Sequence, residues 1–182
     1  VRPTDRDDSA PDPLITAITD GGNAQPVGKL EAHKKGLLHQ ALSVFVFSGA
    51  ELLLQRRAAG KYHSGLLWAN SCCSHPLWQE PVGKAAARRL QQELGIDVPL
   101  MPAGVLEYRA DVGGGMIEHE RVQAFVGRAD RTTLCLAPDP AEVAEIRWVG
   151  LSDLRREATD TPAAFAPWLR IYLARWDELQ IG

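Results

Sequence analysis

Cysteine is scarce: three occur in 182 residues, and two of them are adjacent, at Cys72 and Cys73. An odd, unspaced set excludes a disulfide-stapled scaffold. It points to a reducing compartment, the cytoplasm, with one thiol free for chemistry or metal contact. No run reaches about 18 apolar residues, so no membrane-spanning helix is expected, and the first residues lack the basic-then-apolar order of a secretion signal. Basic residues are not in excess either. The formal charge is −3, which argues against a nucleic-acid partner while leaving room for a local basic pocket. No internal repeat is visible, and the regular strand–helix alternation of a doubly wound sheet is also missing.

What remains describes one domain able to bury a core: 45% of residues are hydrophobic and 24% charged. Residues 1–13 are polar and proline-bearing and read as a disordered leader, leaving 14–182 as a single catalytic domain. Strands are expected at Leu14–Thr19, Leu42–Phe47, Leu52–Gln55, Leu67–Cys73, Val105–Arg109, Glu118–Val126 and Glu145–Val149. The stretch 29–36 is a helical turn or an irregular loop. Val82, Ala85, Ala86, Leu90 and Leu94 recur at helical spacing, and Gly95 follows as a left-handed cap, which predicts a helix over 82–94. A short helix near Leu151–Glu157 and an amphipathic one over Pro167–Leu179 complete a mixed α/β sandwich.

The chemistry-bearing residues are dispersed. Glu118 and Glu120 alternate on a strand and so share a face. They are either solvated decoration or, if that strand is central, a like-charged pair needing a cation or proton between them. With His33, His39 and His75 they make a mixed nitrogen/oxygen donor set suited to Zn, Mn or Mg. Strand alternation turns His119 away from that face, and His63, in a donor-rich loop, is assigned no role. Cys73 is either a small buried hydrophobe, as Cys72 is expected to be, or a thiol poised beside His75. Arg88/Gln92 and Arg89/Glu93 lie four apart on the helix. Each is a surface pair worth about 0.3 kcal/mol, or else Arg89 meets a phosphate and Glu93 the magnesium bridging to it, with Lys29, Arg57 and Lys61 joining in a phosphate pocket.

Taken together the pieces resemble type I isopentenyl-diphosphate isomerase, a branch of the Nudix superfamily. The resemblance runs from about Lys29 to Tyr172 and rests on KLEAH at 29–33, LLHQALSVFVF at 37–47, LLLQRRAAGKYH at 52–63, LWANSCCSHP at 67–76, AAARRLQQELGI at 85–96, EYRAD at 107–111, GMIEHE at 115–120, EIRWV at 145–149 and FAPWLRIYLA at 165–174. It implies a Nudix-like α/β/α sandwich with a mixed sheet and an enzyme that interconverts isopentenyl and dimethylallyl diphosphates. His33, His39, His75, Glu118 and Glu120 would hold the catalytic divalent metal (Mn, Mg or Zn), and no flavin is implied. Cys73 would be the catalytic thiol, opposed by Glu120 with Tyr108 beside it. Glu93 would hold the magnesium that arrives with the substrate. Lys29, Arg57, Lys61 and Arg89 would surround the diphosphate, and Trp68 and Trp168 are the candidates to face a carbocation. The partner implied is a small isoprenoid diphosphate, and the protein is expected to act as a monomer.

The chain departs from the Nudix hydrolase box, whose usual form is Gly, five residues, Glu, seven residues, then Arg-Glu-hydrophobic-x-Glu-Glu-x-Gly-hydrophobic. Glu80 falls at the upstream Glu, but Ser74 replaces Gly, Arg89 replaces one Glu and Gln92 another. That leaves Glu93 as the helix's remaining box carboxylate, which disfavours diphosphate hydrolysis, the alternative enzyme reading. It also departs from the isomerases. Gln79 stands where a glycine is common after His-Pro, Ala163 stands where many members place a tryptophan after Thr-Pro, and the 62–68 loop lacks the proline often found before Gly-Leu-Trp. These departures keep an inactive isoprenoid-diphosphate-binding homologue as a second alternative.

Overall fold

The computed structural model describes residues 12–181; most of the expected leader lies outside them. Asp12 and Pro13, its last two residues, meet the first helix. The Asp12 carboxylate accepts the Leu30 N–H at 3.0 and 2.9 Å, and the Pro13 carbonyl accepts that of Lys29 at 2.9 Å. A nine-stranded mixed sheet is organised around one central strand, β3 (His39–Ser48). The strands β1 (Leu14–Ile18), β4 (Glu51–Arg57) and β6 (Cys72–Ser74) take antiparallel positions along one edge of β3. Along its other edge β8 (Met116–Arg128) runs parallel, from His39 opposite Glu120 to Phe47 opposite Arg128. Outside these lie β2 (Ala24–Gly28) on β1, β5 (Trp68–Ala69) and β9 (Val143–Gly150) on β4, and β7 (Leu100–Gly113) on β8.

Period-two alternation in β3 sends Leu42, Val44 and Val46 to one face and Ala41, Phe45 and Phe47 to the other. The first face packs on α2 (Val82–Leu94) through Ala85, Ala86, Leu90 and Leu94. The second packs on α3 (Leu151–Asp160) and α4 (Pro167–Ala174) through Leu154, Trp168, Leu169 and Tyr172. This is the expected α/β/α sandwich. The α2 limits match the expectation. Gly95 adopts φ 69°, and a Cβ there would come within 2.7 Å of Ala137, so that cap needs glycine.

Several elements differ from expectation for local reasons. Residues 29–35 form helix α1, closed by Gly36 in the left-handed region. Strand β2 has no counterpart in the sequence reading because Pro26 masks it; proline is tolerated there because β2 pairs with β1 alone. The expected strand at Leu67–Cys73 is split in two. The Ser71 hydroxyl accepts the Val46 N–H at 2.8 Å and donates to the Leu53 carbonyl at 2.7 Å, so the chain crosses between β3 and β4 where they splay apart. The final helix ends at Ala174, and Trp176–Leu179 continues as a 3-10 turn. Among the described residues no helix is long and apolar enough to cross a membrane.

Candidate active site

Four metal-ligand side chains come together from α1, β3, β8 and the chain just beyond β6. His33, His39, His75 and Glu120 each offer one donor atom within 4.8 Å of the others, and all four are buried. Backbone acceptors set two of the imidazoles: His33 Nδ1 lies 2.7 Å from the Lys29 carbonyl and His39 Nδ1 2.7 Å from that of Leu37. Each Nδ1 therefore carries the proton and each Nε2 turns a lone pair inward, as outer partners do for metal-bound histidines. His39 Nε2 and His75 Nε2 face one another at 3.2 Å, with Glu120 Oε1 2.9 Å from the latter. Burial lowers the His33 pKa to about 4 and holds His75 well below the ordinary imidazole range. Neutral nitrogens converging on a carboxylate oxygen in a dry site fit a divalent cation.

Glu118 stands apart from these four donors. Its group is His33 and His63, with His63 Nε2 3.5 Å from Glu118 Oε1. The two carboxylates meet through Tyr108, whose hydroxyl is 2.7 Å from Glu118 Oε2 and 2.8 Å from Glu120 Oε2. One hydroxyl has one hydrogen to donate, so without a cation the second short contact calls for a carboxyl proton. Glu118 is the carboxyl raised, first by burial and then by the charge of Glu120. Burial would raise Glu120 too, but its contacts with His39 and His75 outweigh that and hold it low.

Cys73 approaches from the opposite edge of β3, since Ser43 pairs with Cys73 on one side and Ala124 on the other. Its thiol donates to Asn70 Oδ1 at 2.9 Å, and the Asn70 amide is oriented by donating to the Val44 and Cys72 carbonyls. Ser43 Oγ lies 3.3 Å from the sulfur and 2.8 Å from the Tyr172 hydroxyl. Burial pushes the thiol up to about 12, against the pull of the Ser43 contact. Cys72, one residue earlier, turns into the α2 face, as expected of a small core residue.

Both sides open on one small cavity, whose lining also includes Lys29, Arg57, Lys61, Arg89 and Trp168. Burial, then the charges of Lys61, Arg89 and Arg57, lowers Lys29 to about 8. The Nε atoms of Arg57 and Arg89 are buried without a partner. Arg89 does pair with Glu93 at 2.6 Å, which Gln55 holds from its other oxygen at 2.8 Å. Trp68 is absent from the lining, and the Arg147 guanidinium lies 4.5 Å from its ring centroid. Trp168, on α4, does line the cavity and carries a cation of its own, with the Arg57 guanidinium 5.0 Å from its ring centroid.

Two residues were missed. Glu142 touches Lys61 and lies 3.2 Å from Arg89. His63 lines the cavity beside Glu118. The donor-rich character of the 56–66 loop was the sole signal for His63, and none pointed to Glu142.

The NUDIX domain family matches residues 37–169. An isopentenyl-diphosphate Delta-isomerase of Cereibacter sphaeroides is 57% identical over 88% of this chain and 90% of its own length. One of Dinoroseobacter shibae is 53% identical over 93% and 96%. The chain belongs to the isopentenyl-diphosphate Delta-isomerase family of the Nudix superfamily. Solved structures carry the likeness at the level of fold. A Deinococcus radiodurans protein superposes with a TM-score of 0.70 at 12% identity, covering 89% of this chain and 98% of that one. A MutT Nudix hydrolase of Burkholderia pseudomallei gives 0.59 at 20% identity, covering 80% and 98%. In this member of the isomerase family, the hydrolase carboxylates that remain are engaged: Glu80 with Arg88 at 2.7 Å, and Glu93 with Arg89.

Proposed function

We propose that the protein interconverts isopentenyl and dimethylallyl diphosphates, with residues 14–182 acting as one catalytic domain. The observation that carries this reading is the placement of Cys73 and Glu120 on strands along opposite edges of β3, both lining a cavity that also holds four cations. A 1,3-proton shift needs that layout. A proton is added to the terminal methylene carbon, leaving a tertiary carbocation-like centre, and another is removed from the methylene on the far side. The electron pair of the broken C–H bond becomes the new double bond.

Cys73 and Glu120 are the two proton-exchanging groups, and the reverse direction exchanges their roles. Tyr108 connects Glu120 to Glu118 and gives the proton a second place to reside. Lys29, Arg57, Lys61 and Arg89 hold the diphosphate, and Glu93 would take the magnesium that accompanies it by giving up its contact with Arg89 or Gln55. The buried face of Trp168 shields the cationic carbon, with Arg57 5.0 Å from the same ring centroid. His33, His39, His75 and Glu120, with Glu118 nearby, would hold a resident Mn, Mg or Zn, whose positive charge would lower the proton affinity of the carboxylates and tie the strands together. The protein is read as a monomer of the cytoplasm, in keeping with its free cysteines.

Phosphorus NMR of isopentenyl diphosphate mixed with the protein and Mg²⁺ separates the readings. Conversion to the isomer with both phosphorus signals of an intact diphosphate is expected. Appearance of inorganic phosphate would instead favour hydrolysis, and an unchanged spectrum at every divalent-metal loading would favour a binding protein.

A further inference from the structure

The two carboxylates of β8 share Tyr108 through their Oε2 atoms, but their Oε1 atoms face different imidazoles. Glu120 Oε1 is directed at His75 and His39, at 2.9 and 3.6 Å, whereas Glu118 Oε1 is directed at His63, at 3.5 Å. His33 belongs to both groups. We propose that His63 is a metal-binding residue that forms, with His33 and Glu118, an outer ion position overlapping the inner one. This rests on the reading that the inner cluster holds a divalent ion.

The donor set is two imidazole nitrogens and one carboxylate oxygen, the composition of an open three-ligand site with a fourth place for water or a substrate oxygen. Such a set takes borderline divalent cations of the Zn²⁺, Co²⁺ and Mn²⁺ class. Its three atoms lie within 4.8 Å of one another, wider than the roughly 3.4 Å between neighbouring ligands of a tetrahedral ion, so the three side chains would close in on an ion as it binds. His63 is fixed by its neighbours: its carbonyl accepts from Arg57 Nη2 at 3.2 Å and its Nδ1 lies 3.2 Å from Ser64 Oγ, which leaves Nε2 for the site. His33 Nε2 has one lone pair, with the Tyr62 hydroxyl 3.4 Å away, so it serves one position at a time. His63 and Glu118 line the cavity, while His33 and His39 are fully buried behind it. His75 and Glu120 of the inner position line the same cavity, so both positions are reached from it, and His33 is the ligand that they share.

The test uses Co²⁺ binding to the full chain, followed by calorimetry and by visible d–d absorption. His39→Ala removes an inner ligand and none of the outer ones. It should retain Co²⁺ at reduced affinity, and adding His63→Gln should weaken that binding about tenfold or more and abolish the absorption. His75→Ala is the second background, with circular dichroism establishing that each variant is folded. The proposal is overturned if the folded backgrounds bind no Co²⁺ or if His63→Gln leaves their affinity within about twofold. Failure of the unaltered chain to bind any ion would sink the inner-site reading itself, which is a separate outcome.

Discussion

The two ends of the cavity handle burial differently. At the histidine–carboxylate end, burial disfavours the protonated forms of His33 and His75, Tyr108 ties the carboxylates together, and backbone carbonyls aim His33 and His39. At the lysine–arginine end, four cations are crowded together and answered by Glu93 and Glu142, with two guanidinium Nε atoms left unpaired. The first arrangement is complete once an ion sits among the nitrogens. The second is under-neutralised until a polyanion arrives. One end is built to hold a resident charge, the other to receive a transient one.

Breaking the proton-exchanging pair should have the largest effect. Cys73→Ala and Glu120→Gln are each expected to lower kcat by about 10³-fold or more with the far-ultraviolet dichroism unchanged, whereas Cys72→Ala, on the α2 face, should retain most activity. Substantial turnover in Cys73→Ala would remove the thiol from the mechanism. Next comes the resident charge. Exhaustive chelation should abolish activity and lower the melting temperature, because an ion bound to the native state alone adds RT ln(1 + [M]/Kd) to its stability. Both should return on adding Mn²⁺, Mg²⁺ or Zn²⁺.

The receiving end should respond to pH with opposite signs for binding and folding. Lys29 has its pKa lowered from 10.5 to about 8. Raising the pH through about 8 removes its charge, so kcat/KM for the diphosphate substrate should fall there. Its contribution to folding goes the other way. Between 8 and 10.5 the unfolded chain binds the proton and the folded chain does not, so stability from this group rises with pH. A Lys29→Met variant that kept the same alkaline fall in kcat/KM would assign it elsewhere.

Smaller effects sharpen the comparison further. Glu142 occupies Lys61 and Arg89 as an internal anion, so Glu142→Gln should lower the KM by about two- to fivefold, the scale of a partly exposed ion pair. A rise in KM would mean that it orders the two cations instead. Gln79 and Leu66 hold φ of 66° and 63°, and Gln79 stands where the family commonly has glycine. Replacing either with glycine should raise stability by about 0.5–1 kcal/mol, readable in a denaturant midpoint.

Much of this was legible in the sequence where residue chemistry and periodicity agree. The α2 limits followed from its apolar spacing and Gly95, and the Glu118/Glu120 face followed from alternation on a strand. Strand ends were not legible. The longer reach of β7 is disguised by Pro102-Ala103-Gly104, across which its register with β8 shifts. Site residues on strands and helices were found because an imidazole, thiol or carboxylate beside an apolar run needs explaining. His63 and Glu142 sit on loops whose paths depend on long-range backbone bonds, such as Ala58 N–H to the Glu142 carbonyl at 2.9 Å. Nothing local in the sequence announces those. Trp68 and Trp168 looked equivalent as aromatics, and it is the packing of α4 that separates them.

The central claim is that Cys73 and Glu120 move protons across one carbon skeleton and leave the diphosphate untouched. Incubating the protein with Mg²⁺ and isopentenyl diphosphate in deuterated water, then reading the product by proton and deuterium NMR, tests this most directly. The account predicts dimethylallyl diphosphate carrying deuterium in a methyl group, with none formed by Cys73→Ala or Glu120→Gln. Product without solvent deuterium, or equal labelling by either variant, would contradict it.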